Sequence, residues 1–376
     1  AGDPRWIARG LYWVAAHLQG TGQHKEAQTC LQECLPLARQ CGDANLAVCT
    51  ALFLADYEPL GRRRILQEEI LRPAPYASRP YGLQFLAWTA RAQGDLKGAE
   101  AYLRESLAGW AEAGVVNMQG VVSGWLGEIH AIGGDYAGAE RMMERGRALV
   151  RGGGNYDSVI WATRLLSNPA WRQGAFDTAT SLCQEALELA RQHGYVEHAA
   201  LACLGLALVA AERGEHERAE ALCAGAQPDL PAWDDEAQAL ALSTHGRAAL
   251  LRGDGARAVA LYRQAMERTR RGESRSDTVE VLEYLAWALA ADGQAGEAAR
   301  LLALAERERQ DMGMVLPPVD RPHHERAVGD ASAALGGEGF ATAWTEGQAR
   351  RLESTAGELL AEPEADLPEE VEVPSG

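Results

Sequence analysis

Large apolar residues stand beside small ones at regular intervals along this chain, and the interval is about forty residues. A Gly that precedes an Ala by five positions marks each interval: Gly22 with Ala27, Gly94 with Ala99, Gly134 with Ala139, Gly174 with Ala179, Gly214 with Ala219, Gly253 with Ala258, Gly293 with Ala298. From Gly94 onward the steps are 40, 40, 40, 39 and 40. The 72 residues between Gly22 and Gly94 hold one degenerate copy, with Asp56 at the turn and Gly61 at the small position. Seven before each turn residue stand Ala15, Cys49, Ala87, Gly127, Ser167, Ala207, Gly246 and Ala286, all small, and eight before stand Val14, Val48, Leu86, Leu126, Leu166, Leu206, His245 and Leu285. Twelve after stand Cys34, Glu68, Ser106, Gly146, Ala186, Ala226, Ala265 and Ala305, small except in the degenerate copy.

This spacing has a packing reason. Two antiparallel helices approach closely only where side chains are small, and the large neighbour then fills the groove of the next helix. The Gly ends the first helix of each pair. The pattern predicts eight helical hairpins over residues 1–308, an all-α superhelix. Pro317-Pro318 ends the last repeat helix. Arg321 to Leu335, then Gly339 to Gln348 and Ala349 to Ala361, read as two or three short helices capping the stack within 309–361. Residues 362–376 contain six acidic residues, three prolines and no base, a composition that predicts a disordered tail.

The residues resemble the tetratricopeptide family, whose repeat pairs a large and a small residue in its first helix with Gly at the turn and Ala five later. In the fourth unit these are Leu126, Gly127, Gly134 and Ala139, and the usual aromatic later in the first helix is His130. The common repeat has about 34 residues, so these helices are each about a turn longer and the eponymous Trp is mostly replaced. A unit of about forty is similar to the repeats in the C-terminal sensor arms of bacterial STAND-class signal-transduction ATPases, including maltose-activator-like transcription regulators. The phrase Ala334-Leu335-Gly336, Phe340, Ala343-Trp344, Glu346-Gly347 resembles the segment that ends many such regulators. The resemblance implies an ATPase and output domain in the same polypeptide, with ATP bound there and no cofactor in this chain. The chain opens at Ala1 without methionine, which reads as a piece of something longer.

Composition narrows the function. A formal charge of −17 repels a phosphate backbone, so direct nucleic-acid contact is not expected. The longest apolar run, Ala199 to Ala211, is too short to cross a bilayer and no secretory leader opens the sequence, so the chain reads as cytoplasmic with no membrane partner. Cys30, Cys34, Cys41 and Cys49 could form a zinc set, but Cys34 and Cys49 occupy the small positions and Cys183 and Cys223 the site of Leu103 and Leu302, so they read as buried packing. His323-His324-Glu325 lacks the second histidine of a metalloprotease helix and reads as surface. With no phosphate loop or nucleophile elbow, no catalytic role is expected.

What remains is the inward face. In hairpin solenoids the first helix of each unit lines the concave side, so positions thirteen, ten, six and three before each turn share one face. These supply Arg9, Tyr12 and Gln19; Tyr81, Gln84, Trp88 and Arg91; Glu128; Trp161, Arg164, Asn168 and Trp171; the apolar Leu201, Leu204 and Leu208; Arg247; and Glu280, Glu283 and Trp287. Trp, Tyr and Arg dominate binding hot spots. The expected ligand site is Tyr12, Tyr81, Gln84, Trp88, Arg91, Glu128, Trp161, Arg164, Asn168, Trp171, Arg247, Glu283 and Trp287. The expected function is a sensor that binds a peptide, protein or small molecule; the competing expectation is a scaffold that joins two proteins and senses nothing.

Overall fold

A computed structural model describes residues 3–361. The helices pair as eight hairpins: α1 (Pro4–Gly20) with α2 (His24–Gln40), α3 (Ala44–Ala55) with α4 (Leu60–Leu71), α5 (Arg79–Ala92) with α6 (Leu96–Glu112), and α7 (Val116–Ile132) with α8 (Tyr136–Arg151). The second half continues with α9 (Tyr156–Arg172) and α10 (Phe176–His193), α11 (Val196–Glu212) and α12 (His216–Ala226), α13 (Asp235–Arg252) and α14 (Gly255–Arg271), and α15 (Arg275–Ala291) and α16 (Ala295–Met312). Two helical runs within α17 (Arg321–Ala349), separated at Gly336 (φ 70°, ψ 167°), and then α18 (Leu352–Ala361) close the end. The acidic stretch 362–376 lies outside the described residues. No described helix is long and apolar enough to cross a membrane.

The turn phrase has two local jobs. Gly94 and Gly134 adopt the left-handed region (φ 81° and 83°), which a side chain disfavours. The acidic residue that follows caps the second helix: Asp95 accepts the Gly98 amide at 2.8 Å and Asp135 the Gly138 amide at 2.9 Å. Each such cap is worth about 1 kcal/mol. At the crossings, Ala27, Ala99, Ala139, Ala219, Ala258 and Ala298 are fully buried, and a methyl on Gly127 would lie 2.5 Å from Met143 and 3.0 Å from the Ala139 carbonyl. The cysteines are free, and Cys34 donates to the Ala8 carbonyl at 3.2 Å inside the first crossing.

The degenerate second unit departs from its expected register. Its turn falls at Asp56 as read, but α3 and α4 have 12 residues each, where α5 has 14 and α7 has 17. Losing a turn rotates the inward positions: Gly61 and Glu68 face solvent, Cys49 is half-buried, and Thr50 and Gln67 are fully buried in their place. Gln67 satisfies its amide by donating to Asp56 at 3.1 Å and accepting from Thr89 at 2.9 Å.

The stack winds until its second half returns against its first. Trp233, before α13, lies against Gly22 and His24. Arg63 pairs with Glu273 at 3.0 Å, Arg91 with Asp277 at 3.3 Å and Arg172 with Glu280 at 2.7 Å. The segment after α16 then threads across the middle, its Val315 amide donating to the Ile132 carbonyl and its Val319 amide to the Arg172 carbonyl, at 3.0 and 3.1 Å.

Candidate ligand-binding lumen

Because the superhelix closes on itself, its concave side is a lumen rather than an open groove, with a cavity of about 840 Å³. First helices line it, which follows from each second helix being held outside by the small-residue crossings. Along one wall runs a ladder of rings, one unit to the next. Tyr12 meets Phe53 at 5.7 Å, Phe53 meets Phe85 at 5.2 Å, Phe85 meets Trp88 at 5.9 Å, Trp88 meets Trp125 at 4.9 Å, and Trp125 meets Trp161 at 6.0 Å. Most of these contacts are edge-to-face, which leaves ring faces directed elsewhere. Trp88 remains 45% exposed within this setting, an apolar surface with no protein partner on that side.

Beside the ladder sit the charges. The Arg91 and Arg172 side chains are engaged at the seam with Asp277 and Glu280, and Arg172 also donates to Asn168 Oδ1 at 2.8 Å. Arg164 differs: no hydrogen bond or ion pair holds its guanidinium among the described residues, and its Nε is buried without a partner. Glu128 and Glu236 also line the lumen with no hydrogen bond or ion pair among the described residues. Burial pushes the Glu128 carboxyl above the usual carboxylate range, against the pull of Arg91 and Arg164. A half-buried guanidinium with unused donors suits an anion, and unpaired carboxylates suit a cation.

Of the thirteen expected residues, eight line this lumen: Trp88, Arg91, Glu128, Trp161, Arg164, Asn168, Trp171 and Arg247. The others are placed differently. Tyr12 and Tyr81 lie at the outer end of the ladder beyond the cavity, and burial raises both hydroxyls, Tyr81 to about 12. Gln84 is buried in its own hairpin, donating to Ser106 Oγ. Glu283 is buried as the anchor of the cap, accepting from His324 at 3.0 Å and Arg309 at 3.1 Å. Trp287 is buried against Tyr284 and His323. Arg247 reaches the wall with its charge consumed: it pairs with Glu212 and, at 2.8 Å, with Asp320, under the rings of Trp171, Tyr284 and Trp287 at 5.1 to 5.9 Å. His323 and His324 are not surface residues; they dock the start of α17 onto Glu212 and Glu283.

The expected set omits Phe53, Phe85, Trp125 and Glu236. Trp125 and Phe85 stand nine before their turns, next to the large stacking position and outside the four inward offsets. Glu236 enters the lumen from the first turn of α13 only because the superhelix closes. Leu201 and Leu208 do line the cavity, whereas Leu204 is core.

Three stretches match tetratricopeptide-repeat family models, residues 83–113 with one and 120–145 and 200–224 with another. The chain carries a tetratricopeptide-like repeat domain. Among solved structures, a Rap protein complexed with Competence and Sporulation Factor is 12% identical and covers 95% of this chain and 100% of its own, at a TM-score of 0.63. The apo quorum sensor NprR from B. thuringiensis is 9% identical over 95% of this chain and 98% of its own, at 0.51. The Rap conjugation gene regulator of plasmid pLS20, in complex with the Phr* peptide, is 14% identical over 90% and 100%, at 0.50. At these identities the likeness is one of fold. No curated protein matches the sequence.

Proposed function

We propose that the lumen binds a short peptide, and that this tetratricopeptide-like domain is the sensor module of a STAND-type signalling ATPase. The observation that carries the binding reading is the unpaired Arg164 beside an aromatic ladder, with the unpaired Glu128 and Glu236 on the same lumen. Such a wall complements a ligand with one carboxylate, one cationic side chain and an apolar group. A cavity of about 840 Å³ accepts a peptide or metabolite and excludes a folded domain, which disfavours the scaffold reading. The Rap structures of this fold seen with a factor or with the Phr* peptide favour a peptide over a metabolite. The STAND context rests on the forty-residue unit and the C-terminal phrase around Phe340 and Trp344.

The mechanism is a population shift. The lumen walls come from both halves of the superhelix, and the seam pairs lie on that lumen. A ligand touching both halves binds the closed ring better than an opened one, and only such differential affinity moves an equilibrium. Calorimetry with a panel of unmodified and C-terminally amidated basic peptides tests this. Arg164→Ala is expected to weaken the unmodified peptides about tenfold, the loss of roughly one charge-assisted hydrogen bond, and Glu128→Gln with Glu236→Gln to weaken the basic ones. Equal binding by wild type and Arg164→Ala, or no binding by any peptide, would overturn the lumen assignment.

A further inference from the structure

The unused charges of the lumen are divided across the seam. Arg164 of α9 and Glu128 of α7 stand on units four and five, beside the rings of Trp88, Trp125 and Trp161. Units seven and eight face them with five carboxylates, four of them engaged. Asp234 accepts the Ala237 amide at 3.0 Å, Asp235 pairs with Arg268 at 3.0 Å, Asp277 with Arg91 at 3.3 Å and Glu280 with Arg172 at 2.7 Å. The fifth, Glu236, is exposed on the cavity and has no hydrogen bond or ion pair among the described residues. Arg91 lies in the field of Glu236 and Glu128 as well as of Asp277 and Glu280, and Glu236 lies in the field of Glu128. Apart from Arg164, whose donors are free for a carboxylate, the crossing thus sets four carboxylates against the two guanidiniums of Arg91 and Arg172. Two negative charges are left over, one from each side of the seam.

Like charges on facing walls oppose closure, and a cation between them turns that repulsion into attraction. We infer that the basic side chain of the ligand is the group that couples binding to closure, by bridging Glu128 and Glu236 across the seam; this rests on the peptide reading of the lumen. A carboxylate on Arg164 keeps the same partner whether the seam is open or shut, and the ring ladder also belongs to one side. Contacts of equal strength in both states shift nothing, however tightly they bind. A base beside Glu128 gains its second partner only when the seam is shut. The activating ligand is thereby a peptide with a Lys or Arg side chain, and a peptide of the same shape without the base fills the lumen and leaves closure as it was.

The test uses the full chain and hexapeptides with a free C-terminal carboxylate, one Trp and one Lys, each paired with its norleucine counterpart. Calorimetry measures binding, and hydrogen exchange of seam amides, residues 63–68 of α4 and 278–284 of α15, measures closure. Norleucine in place of Lys is expected to weaken binding about tenfold, the loss of one charge-assisted contact. Only the Lys peptides are expected to slow seam exchange, by about fivefold. Glu236→Gln, at an exposed position with no partner to strand, is expected to bring each Lys peptide to the affinity and exchange of its counterpart and to leave the counterpart unchanged. Seam exchange slowed equally by both members of a pair, or by neither, overturns the coupling and leaves the lumen reading intact, as does slowing by Lys peptides that persists in Glu236→Gln. Binding by no peptide overturns both.

Discussion

Arg164 and Arg247 are the same residue type on the same inner surface, and their surroundings give them opposite roles. Arg247 is 3% exposed between two carboxylates and three rings, so Arg247→Ala strands Glu212 and Asp320 as buried charges. The expected cost is about 3–5 kcal/mol in denaturant unfolding, whereas Arg164→Ala, which breaks no pair, is expected to stay within about 0.5 kcal/mol. Asp56 makes a pH prediction. Burial raises its carboxyl from an ordinary 3.8 to about 7, with Arg63 and Gln67 opposing. The folded state therefore holds this proton more tightly than the unfolded one, so the stabilisation is complete below about pH 4 and is lost as pH rises through 7. Asp56→Asn is expected to raise the melting temperature at pH 8, by an effect of roughly 1–2 kcal/mol, and to leave it nearly unchanged at pH 4; an equal shift at both pH values would rule this out.

At the scale of elements, hairpins are legible wherever a single register runs from first helix to second. Seven units obey it because a small side chain at each crossing is required by backbone approach, whatever lies elsewhere in the molecule. The second unit is shortened, so counting outward from its turn placed Gly61, Cys49 and Glu68 inside when Thr50 and Gln67 are there. The cap helices were readable after the break at Pro317-Pro318, but their anchors were not. Glu283 faces His324 only after α17 lies across α15, and pairs with Arg309 of α16 at the same point. Glu283→Ala removes the acceptor shared by the half-buried Arg309 and His324; it is expected to cost roughly 2–4 kcal/mol and to speed amide exchange across residues 321–335 more than across α1. Uniform loss of protection along the chain would show that Glu283 does not act through the cap.

For the whole molecule the decisive feature is closure. The Arg63–Glu273 and Arg91–Asp277 pairs are partly exposed, so each contributes only about 0.5–1 kcal/mol, while Arg172 of the third pair is buried; Trp233 on Gly22 and the Val315 backbone bond add contact elsewhere. Closure is thus expected to be marginal and sensitive to salt. Glu273→Gln, Asp277→Asn and Glu280→Gln together are expected to enlarge the radius of gyration in small-angle scattering while leaving the helical signal unchanged, and high salt to do the same to wild type. An unchanged scattering curve in both cases would mean that the apolar contacts alone hold the ring.

The sequence by itself determined the helices, their pairing and the count of eight, because these follow from helical periodicity and the size of side chains at close crossings. Only the tertiary structure decided which inward residues share a lumen and which are spent on one another. Curvature accumulates over all eight units, and a small change per unit determines whether residue 91 meets residue 277. That sum sets Arg164 free beside the ladder and buries Arg247, Glu283 and Trp287 under the cap.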